Sequence, residues 1–136
     1  MFIIAVINEK GGCGKTTITT NLACGLQKEG MKTAIIDTDP QGSAAIWYEQ
    51  SNDERDTPPV FRLAGAKALN NIKKTLSDYD VGIIDGAGSL SEISAGAIKN
   101  ADLILIPIQP SVYDVWGSEN VVDLIKARQS VTDGKP

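Results

Sequence analysis

A glycine-rich segment between a β-like run and a helix-like run constrains this chain more than any other feature. The segment is Glu9–Thr17, with the sequence EKGGCGKTT, and it follows the apolar run Phe2–Ile7. Glycine occupies three of the four positions 11–14. Because glycine has no Cβ atom, successive backbone N–H groups of this segment can surround a di- or triphosphate without obstruction. Such a loop requires the order strand, loop and helix. The chain is therefore expected to fold around a phosphate-binding loop.

Individual residues of this loop have separate expected roles. Lys15 is expected to reach the β- and γ-phosphates, and the Thr16 hydroxyl is expected to bind Mg²⁺. The usual form of the loop has a glycine five residues before Gly14, where this chain has Glu9 followed by Lys10. The alternative is a glycine-rich turn that binds nothing. The expected nucleotide-binding residues are Gly11, Gly12, Cys13, Gly14, Lys15, Thr16 and Thr17.

The composition is typical of one globular domain. The 136 residues are 42% hydrophobic and 22% charged, and no apolar run approaches the roughly 20 residues of a membrane span. We expect a single domain over residues 1–136, a cytoplasmic location, and neither a cleavable signal nor membrane attachment. Cys13 and Cys24 are too few and wrongly spaced for a zinc site. Lysines and arginines are scattered along a chain of net charge −4, so no nucleic-acid-binding patch is expected.

Short β-branched runs alternate with segments of helical periodicity beyond the loop. This alternation predicts an α/β fold in which a mostly parallel sheet carries helices on both faces and a site at the carboxyl ends of its strands. The polar segment 51–59 is expected to be a surface loop. Further strands are expected at 33–36, 60–63, 81–84 and 103–106, and helices at 16–29, 44–50, 66–76, 91–100 and 116–128, the last with Val121, Val122, Leu124 and Ile125 facing inward.

Carboxylates follow two of the expected strands. Asp37 and Asp39 come after the second strand, and Asp85 follows a later one. Mg²⁺ keeps several of its waters when it binds a nucleotide, and Asp85, the Walker B candidate, is expected to hold one of them. Asp37 is expected to support the same metal shell. The alternatives are that Asp85 caps a turn before Gly86 and that Asp39 begins a turn at Pro40.

Hydrolysis needs a group that orients the attacking water, and the chain contains no histidine. We expect Asp39 to serve, because it lies two residues beyond the strand end, with Gln41 as a weaker assistant. A further cation is needed for transition-state charge, and Arg55, Arg62 and Arg128 are near no motif in the sequence. Lys10 is expected to supply that cation to a neighbouring subunit, which makes the active form a nucleotide-bridged dimer. The alternative for Lys10 is a solvated loop charge.

These motifs together resemble the ParA/MinD group of deviant Walker A ATPases, and within it the small ParF-like plasmid partition proteins. Residues 10–17 resemble that group's loop with its additional signature lysine, residues 36–41 its switch I segment, and residues 84–90 its Walker B and switch II region. Residues 107–111, followed by Asp114, resemble the proline-containing stretch after the next strand. Nitrogenase-type iron proteins share the loop but need cysteines downstream of Cys24.

The resemblance implies a function and a set of partners. It implies ATP-dependent segregation of a plasmid or chromosome, with ATP and Mg²⁺ as cofactors and ATP-bound homodimers on nucleoid DNA. A centromere-binding partner protein would stimulate hydrolysis. Neither the C-terminal amphipathic helix of MinD-like proteins nor the tyrosine cluster of tyrosine autokinases is visible.

One departure from the family pattern lies at residues 132–136, where relatives continue into further strands and helices. We therefore expect a domain that lacks the C-terminal strands and helices and has an uncovered edge strand. A first alternative function is a non-enzymatic, truncated nucleotide-binding module that dimerises with or sequesters a full-length relative. A second is a metabolic or cluster-assembly ATPase that shares the loop.

Overall fold

Five β-strands form one parallel sheet in the part of the chain that the structure describes. The structure is a computed structural model, and it describes residues 1–8, 14–40, 42–50, 57–63, 65–86 and 92–136. The strands are β1 (Phe2–Val6), β2 (Thr33–Asp37), β3 (Val60–Arg62), β4 (Val81–Asp85) and β5 (Leu103–Leu105). The helices are α1 (Lys15–Lys28), α2 (Ser43–Glu49), α3 (Ala66–Leu69), α4 (Ile72–Thr75), α5 (Glu92–Asn100), α6 (Val112–Gly117) and α7 (Glu119–Gln129).

The strand order is β3–β2–β4–β1–β5, and every neighbouring pair is parallel. Strands of such a sheet are covered on both faces, so their sequences are apolar without alternation. β1 follows this rule, because residues 3–7 are all buried. The expected α/β fold is confirmed, and the five strands occur where the sequence predicted them.

Helices cover the two faces of the sheet with separate hydrophobic clusters. Ile3, Ala5 and Ile7 point to the face that packs against α3, α4, α5 and α7. Ile4 and Val6 point to the opposite face, where Ala23 of α1 and Ala44 of α2 complete the cluster. Successive side chains of a strand alternate between faces, so one continuous apolar run supplies both clusters.

The outer strands of the sheet are β3 and β5. Within the described residues, β5 pairs only with β1, and Leu103 remains 42% exposed. The expected uncovered edge strand is therefore present in the described part of the chain. No helix there is long and apolar enough to span a membrane.

Two helices that the sequence predicted as continuous are each divided. The segment 66–76 forms α3 and α4, because Asn71 adopts a non-helical conformation (φ −109°, ψ 12°) between them; asparagine favours such positions because its side chain competes for backbone hydrogen bonds. The segment 116–128 is divided at Ser118, because α6 starts at Val112 and ends at Gly117, and α7 begins at Glu119. Val121 is fully buried, and Leu124 and Ile125 pack against the core, but Val122 is not part of either cluster.

The strand register determines which residues meet at the carboxyl edge of the sheet. Asp37 and Asp85 occupy paired positions at the ends of β2 and β4, and Val6 of β1 pairs with Asp85 on the other side. Gly86 then passes close to β1, because its N–H donates to the Val6 carbonyl at 3.0 Å. A Cβ built on Gly86 would lie 2.8 Å from that same oxygen. Only glycine fits there without a backbone shift.

The close approach of Gly86 leads to a stability prediction. Gly86→Ala should lower the free energy of unfolding by about 1–3 kcal/mol, because the added methyl group displaces backbone rather than a mobile side chain. Gly25→Ala, in α1, is the matched control, because a Cβ there meets nothing within 4 Å. It should raise stability by up to about 1 kcal/mol. Urea unfolding measures both, and equal changes in the two variants would contradict the steric explanation.

Candidate functional site

The first turn of α1 begins directly after the glycine-rich segment. Gly14 precedes it with φ 86° and ψ 17°, in the left-handed region, and its carbonyl accepts a hydrogen bond from the Ile18 N–H at 2.9 Å. Nothing lies within 4 Å of a Cβ built there, so the requirement for glycine is conformational. Lys15 is buried in this first turn, whereas Thr17 is exposed. The free N–H groups at a helix start favour an anion such as phosphate.

Asp85 joins the start of α1 to the end of β4. Thr16 Oγ1 donates to Asp85 Oδ2 at 2.8 Å, and Thr19 Oγ1 lies 3.4 Å from Oδ1. The Asp85 side chain is completely buried. The sequence predicted Thr16 and Asp85 in one site but not Thr19, whose position one helical turn after Thr16 was the available signal.

The surroundings of Asp85 raise its pKa to about 6. Burial is the main cause, since it disfavours the charged form, and the nearby carboxylates of Asp37 and Asp39 add to the effect. The hydrogen bond from Thr16 and the charge of Lys15 act in the opposite direction. The described residues therefore leave negative charge at this edge incompletely balanced.

Asp37 organises the chain that follows β2. Its Oδ1 accepts a hydrogen bond from the Asp39 N–H at 3.0 Å, and its Oδ2 accepts one from the Ala45 N–H in the first turn of α2, also at 3.0 Å. Asp37 is buried, whereas Asp39 is partly exposed and lines a cavity of about 420 Å³ beside it. Asp37 thereby fixes the turn that carries Asp39.

Thr38 ties this turn to the end of β4, a role that the sequence analysis missed. Its Oγ1 donates to the Asp85 carbonyl at 2.7 Å, and its backbone N–H donates to the same oxygen at 3.2 Å. Its position between two candidate aspartates was the only sequence signal. The segments that carry Asp37, Asp39 and Asp85 are therefore held together by direct hydrogen bonds.

Arg62, which is near no motif in the sequence, lies beside the turn that carries Asp39 in the structure. Its Nη2 is 3.4 Å from the Pro40 carbonyl, and its guanidinium carbon is 3.0 Å from a Cβ built on Gly42. Arg62 also lines the cavity beside Asp37 and Asp39. The sequence could not show this proximity, because it arises only when β3 pairs in register with β2 and places Arg62 opposite Asp37.

Asn8 connects the start of the glycine-rich segment to the chain after β5. Its Nδ2 donates to the Pro107 carbonyl at 2.7 Å, while its buried Oδ1 has no hydrogen-bond partner. The contact spans 99 positions of sequence. The stretch after β5 that resembles the family pattern therefore lies against the entrance to the loop.

The donor set at this edge fits a nucleotide with Mg²⁺. Mg²⁺ prefers hydroxyl, carboxylate and water oxygens, and Thr16 and Asp85 offer the first two within one hydrogen bond of each other. No group of three or more His, Cys, Asp or Glu side chains in the described ranges could hold a metal ion by itself. Such a site suits a metal that keeps waters and phosphate ligands. Lys15, in the same first turn of α1, places a positive charge beside these oxygens.

Several residues singled out in the sequence lie outside the described residues. Among them are the expected signature lysine, the neighbouring loop residues, the weaker catalytic candidate and most of the second switch region. They are Glu9, Lys10, Gly11, Gly12, Cys13, Gln41, Arg55 and residues 87–90.

Comparison with known proteins gives a family match over nearly the whole chain. Residues 4–131 match the CbiA family, described as the CobQ/CobB/MinD/ParA nucleotide binding domain. The chain is 36% identical over 128 residues to the maintenance of carboxysome distribution protein A of Halothiobacillus neapolitanus. The matched region covers 93% of this chain and 59% of that protein. It is 29% identical over 135 residues to Protein ParA of Rhizobium radiobacter, and this match covers 99% of the chain and 61% of that protein. The chain thus spans about three fifths of the length of these relatives.

Solved structures share the fold. The cobyrinic acid a,c-diamide synthase of Mycobacterium smegmatis with bound ADP and magnesium superimposes with a TM-score of 0.82 at 21% identity, over 97% of this chain and 69% of that one. The septum site-determining protein MinD of Pyrococcus horikoshii, complexed with Mg-ADP, superimposes with a TM-score of 0.73 at 21% identity. The match covers 93% of this chain and 65% of that one. At this identity the likeness establishes the architecture.

The raised pKa of Asp85 leads to a prediction about pH and stability. Between the ordinary value of 3.8 and about 6, the folded protein holds a proton that the unfolded chain has lost, so the free energy of unfolding falls as pH rises through this range. In Asp85→Asn the amide side chain does not titrate, so the free energy of unfolding does not fall over this pH range on account of residue 85. In nucleotide-free protein with a chelator, the variant should be more stable than the parent by about 1–2 kcal/mol at neutral pH.

The same variant should lose that advantage in acid, below the ordinary aspartate pKa. Asp123→Asn, which neutralises an exposed carboxylate on α7, is the matched control and should change stability little at either pH. Thermal or urea unfolding at both pH values measures the difference. An Asp85→Asn variant that is less stable than the parent at neutral pH would contradict the electrostatic account.

Proposed function

The chain belongs to the CobQ/CobB/MinD/ParA family of nucleotide-binding domains, and from this premise we propose that it is a Mg²⁺-dependent ATPase whose ATP-bound form is a dimeric switch. The ParA/MinD members of this family are P-loop ATPases. The observation that carries the proposal is the meeting of Thr16, Asp37 and Asp85 at one sheet edge, beside the helix start that bears Lys15.

Each residue of the site has a proposed task. Lys15 binds the β- and γ-phosphates, together with the backbone of Gly11, Gly12, Cys13 and Gly14 and with Thr17. The Thr16 hydroxyl binds Mg²⁺, and Asp85 and Asp37 hold its waters. The metal, when bound, supplies positive charge that balances the phosphates. The Thr16 hydroxyl donates a hydrogen bond to Asp85, so the metal-binding hydroxyl lies beside the carboxylate that holds the waters of the metal.

Asp39 is proposed to orient the water that attacks the γ-phosphate. Its position supports this role, because it is the partly exposed carboxylate of the turn that Asp37 fixes and Thr38 attaches to Asp85. A carboxylate held at a defined place can accept a proton from water without reorganising. Arg62, 3.4 Å from the Pro40 carbonyl, supports the same turn from its outer side.

Lys10 is proposed to act across a nucleotide-bridged homodimer. Phosphoryl transfer needs a cation beyond the loop lysine to balance charge in the transition state. Lys10 begins the loop, and the proposal places its ammonium at the phosphates of the partner subunit. This makes ATP binding and dimerisation a single event, so that hydrolysis switches the dimer off.

The cargo of this switch is proposed from the relatives. The relatives named ParA and chromosome-partitioning ATPase Soj favour a chromosome or plasmid as the cargo. Non-specific DNA and a centromere-binding partner protein that stimulates hydrolysis are proposed with it, as the family resemblance implies. The 36% identical relative is named for carboxysome distribution, which favours positioning of a large protein body by the same switch. We propose that residues 1–136 form one nucleotide-binding domain, acting in the cytoplasm and on the nucleoid where DNA is bound.

The nucleotide site is tested by charge removal at Lys15. Lys15→Ala should weaken Mg²⁺-dependent ATP binding by at least about tenfold, because it removes a charge-assisted contact to phosphate. Lys28→Ala, which removes an exposed lysine at the other end of α1, is the matched control and should bind ATP normally. Isothermal calorimetry with and without Mg²⁺ measures both. Absence of ATP affinity in the parent protein would overturn the proposal.

Turnover is tested separately from binding. Phosphate release, measured with and without DNA and partner protein, should be lost in Lys10→Ala and Asp39→Ala while ATP binding remains. Light scattering should show an ATP-dependent dimer that Lys10→Ala weakens. ATP binding and dimerisation without any turnover would instead support the non-enzymatic module, and turnover coupled to a metabolic substrate and independent of DNA would support the metabolic ATPase.

A further inference from the structure

A second cavity lies at the amino edge of the sheet, opposite the site described above. Its volume is about 540 Å³, and it lies where α5 and α7 end and β1 and β5 begin. Asp102, just before β5, marks this edge, because its Oδ2 accepts a hydrogen bond from the Ile3 N–H of β1 at 2.8 Å. We call this feature the amino-edge cavity.

Four cationic side chains line the amino-edge cavity: Lys73, Lys99, Arg128 and Lys135. They are scattered in the sequence, so their grouping at one cavity could not be seen there. The fold brings them together because α4, α5 and the end of α7 meet at the amino edge. Such a concentration of like charge is unfavourable unless an anion balances it.

The one carboxylate side chain in the wall of the cavity is already engaged. Asp102 accepts hydrogen bonds from Lys73 Nζ, 2.9 Å from each of its oxygens, and from the Ile3 N–H. Burial alone would raise the pKa of Asp102, but the hydrogen bonds from Lys73 and Ile3 hold it below its ordinary value. Asp102 thus balances Lys73, and the cavity wall holds no second acidic side chain to pair with Lys99, Arg128 and Lys135.

Arg128 carries a donor that lacks an acceptor. Its Nε is buried and makes no hydrogen bond. Cations in the last turn of a helix, such as Lys99 in α5 and Arg128 in α7, interact favourably with the helix dipole. That interaction does not require a buried N–H, and a buried donor without a partner is unfavourable. The Arg128 Nε–H is therefore a donor that a ligand with acceptor oxygens would satisfy.

We propose that the amino-edge cavity binds a phosphate-bearing anion. Phosphate oxygens accept several charge-assisted hydrogen bonds at once, which matches the Arg128 guanidinium and two ammonium groups better than a single carboxylate does. A cavity of about 540 Å³ is large enough for more than one phosphate group. The phosphate can belong to a compact polyphosphate or to the backbone of a nucleic acid. The site is separate from the nucleotide site, which lies at the other edge of the sheet.

The test observes the Arg128 Nε–H directly. Pyrophosphate in one titration, and a short DNA duplex in a second, are added to the full chain while the arginine Nε–H signals are followed by nitrogen-15 NMR. Arg128→Lys, which retains the charge but has no Nε–H, assigns the signal. Binding should shift the Arg128 signal in a saturable way, and the probe that does so at lower concentration identifies the source of the phosphate.

Charge removal measures the contribution of the lysines. Lys99→Gln combined with Lys135→Gln should weaken the binding by about tenfold, because two charged donors are lost. Lys67→Gln combined with Lys126→Gln is the matched control, because both lysines are exposed and neither lines the cavity. Backbone amide spectra confirm that each variant is folded.

The two phosphate sites are separated by the Lys15→Ala variant. In that variant, pyrophosphate should still shift the Arg128 Nε–H signal, although shifts near Gly14 disappear. If pyrophosphate shifts the signals near Gly14 but not the Arg128 signal, only the amino-edge proposal fails. If it shifts the Arg128 signal but not those near Gly14, only the proposed nucleotide site fails. The proposal is overturned if neither probe shifts the Arg128 signal, or if the control pair weakens binding as much as the cavity pair.

Discussion

The buried carboxylate of Asp85 is the constraint on which the candidate site depends. It lies at the end of a central strand, out of contact with water, and a buried charge needs donors around it. Thr16 donates to one oxygen, Thr19 lies near the other, and Thr38 donates to the backbone carbonyl of the same residue. These contacts join α1, β4 and the turn after β2. The candidate site is thus built around a carboxylate whose pKa the surrounding described residues raise to about 6.

The two edges of the sheet differ in charge, although the sequence shows only a modest net charge of −4. The carboxyl edge gathers Asp37, Asp39 and Asp85, with Lys15 as the cation in the first turn of α1. The amino edge gathers Lys73, Lys99, Arg128 and Lys135 around Asp102. In a parallel sheet every strand begins at one edge and every crossover helix ends there, so residues at equivalent points of successive units accumulate at the same edge. Segregation of charge follows from the topology, and it allows one small domain to present two chemically different surfaces.

Most of the architecture could be predicted from the sequence because its signals are local. The run Phe2–Ile7 and the runs before Asp37 and Asp85 are apolar and β-branched, and buried parallel strands have this composition. The predictions were wrong where a local signal was overridden within an element: Asn71 interrupts the expected helix at 66–76, and Ser118 interrupts the one at 116–128. Helical periodicity continues through such breaks, because a short cap changes the backbone without changing the apolar spacing. For the site, Thr16 and Asp85 lie within one hydrogen bond of each other, and the sequence pointed to this edge because motif spacing and strand ends are visible in one dimension. The roles of the two residues stay predictions.

The sequence alone determined that a glycine-rich segment with the phosphate-binding pattern follows the first strand and that carboxylates end two later ones, because each of these features is encoded within a few consecutive residues. Only the tertiary structure decided how strongly they interact and which other residues join them. The strand order makes Asp37 and Asp85 neighbours and puts Arg62 opposite Asp37. The hydrogen bond from Asn8 to Pro107, across 99 positions, and the gathering of distant lysines with Arg128 depend on the same topology. Burial and charge act through space over a few ångströms, so the pKa of Asp85 and the unpaired Nε of Arg128 are properties of the fold and not of any sequence motif.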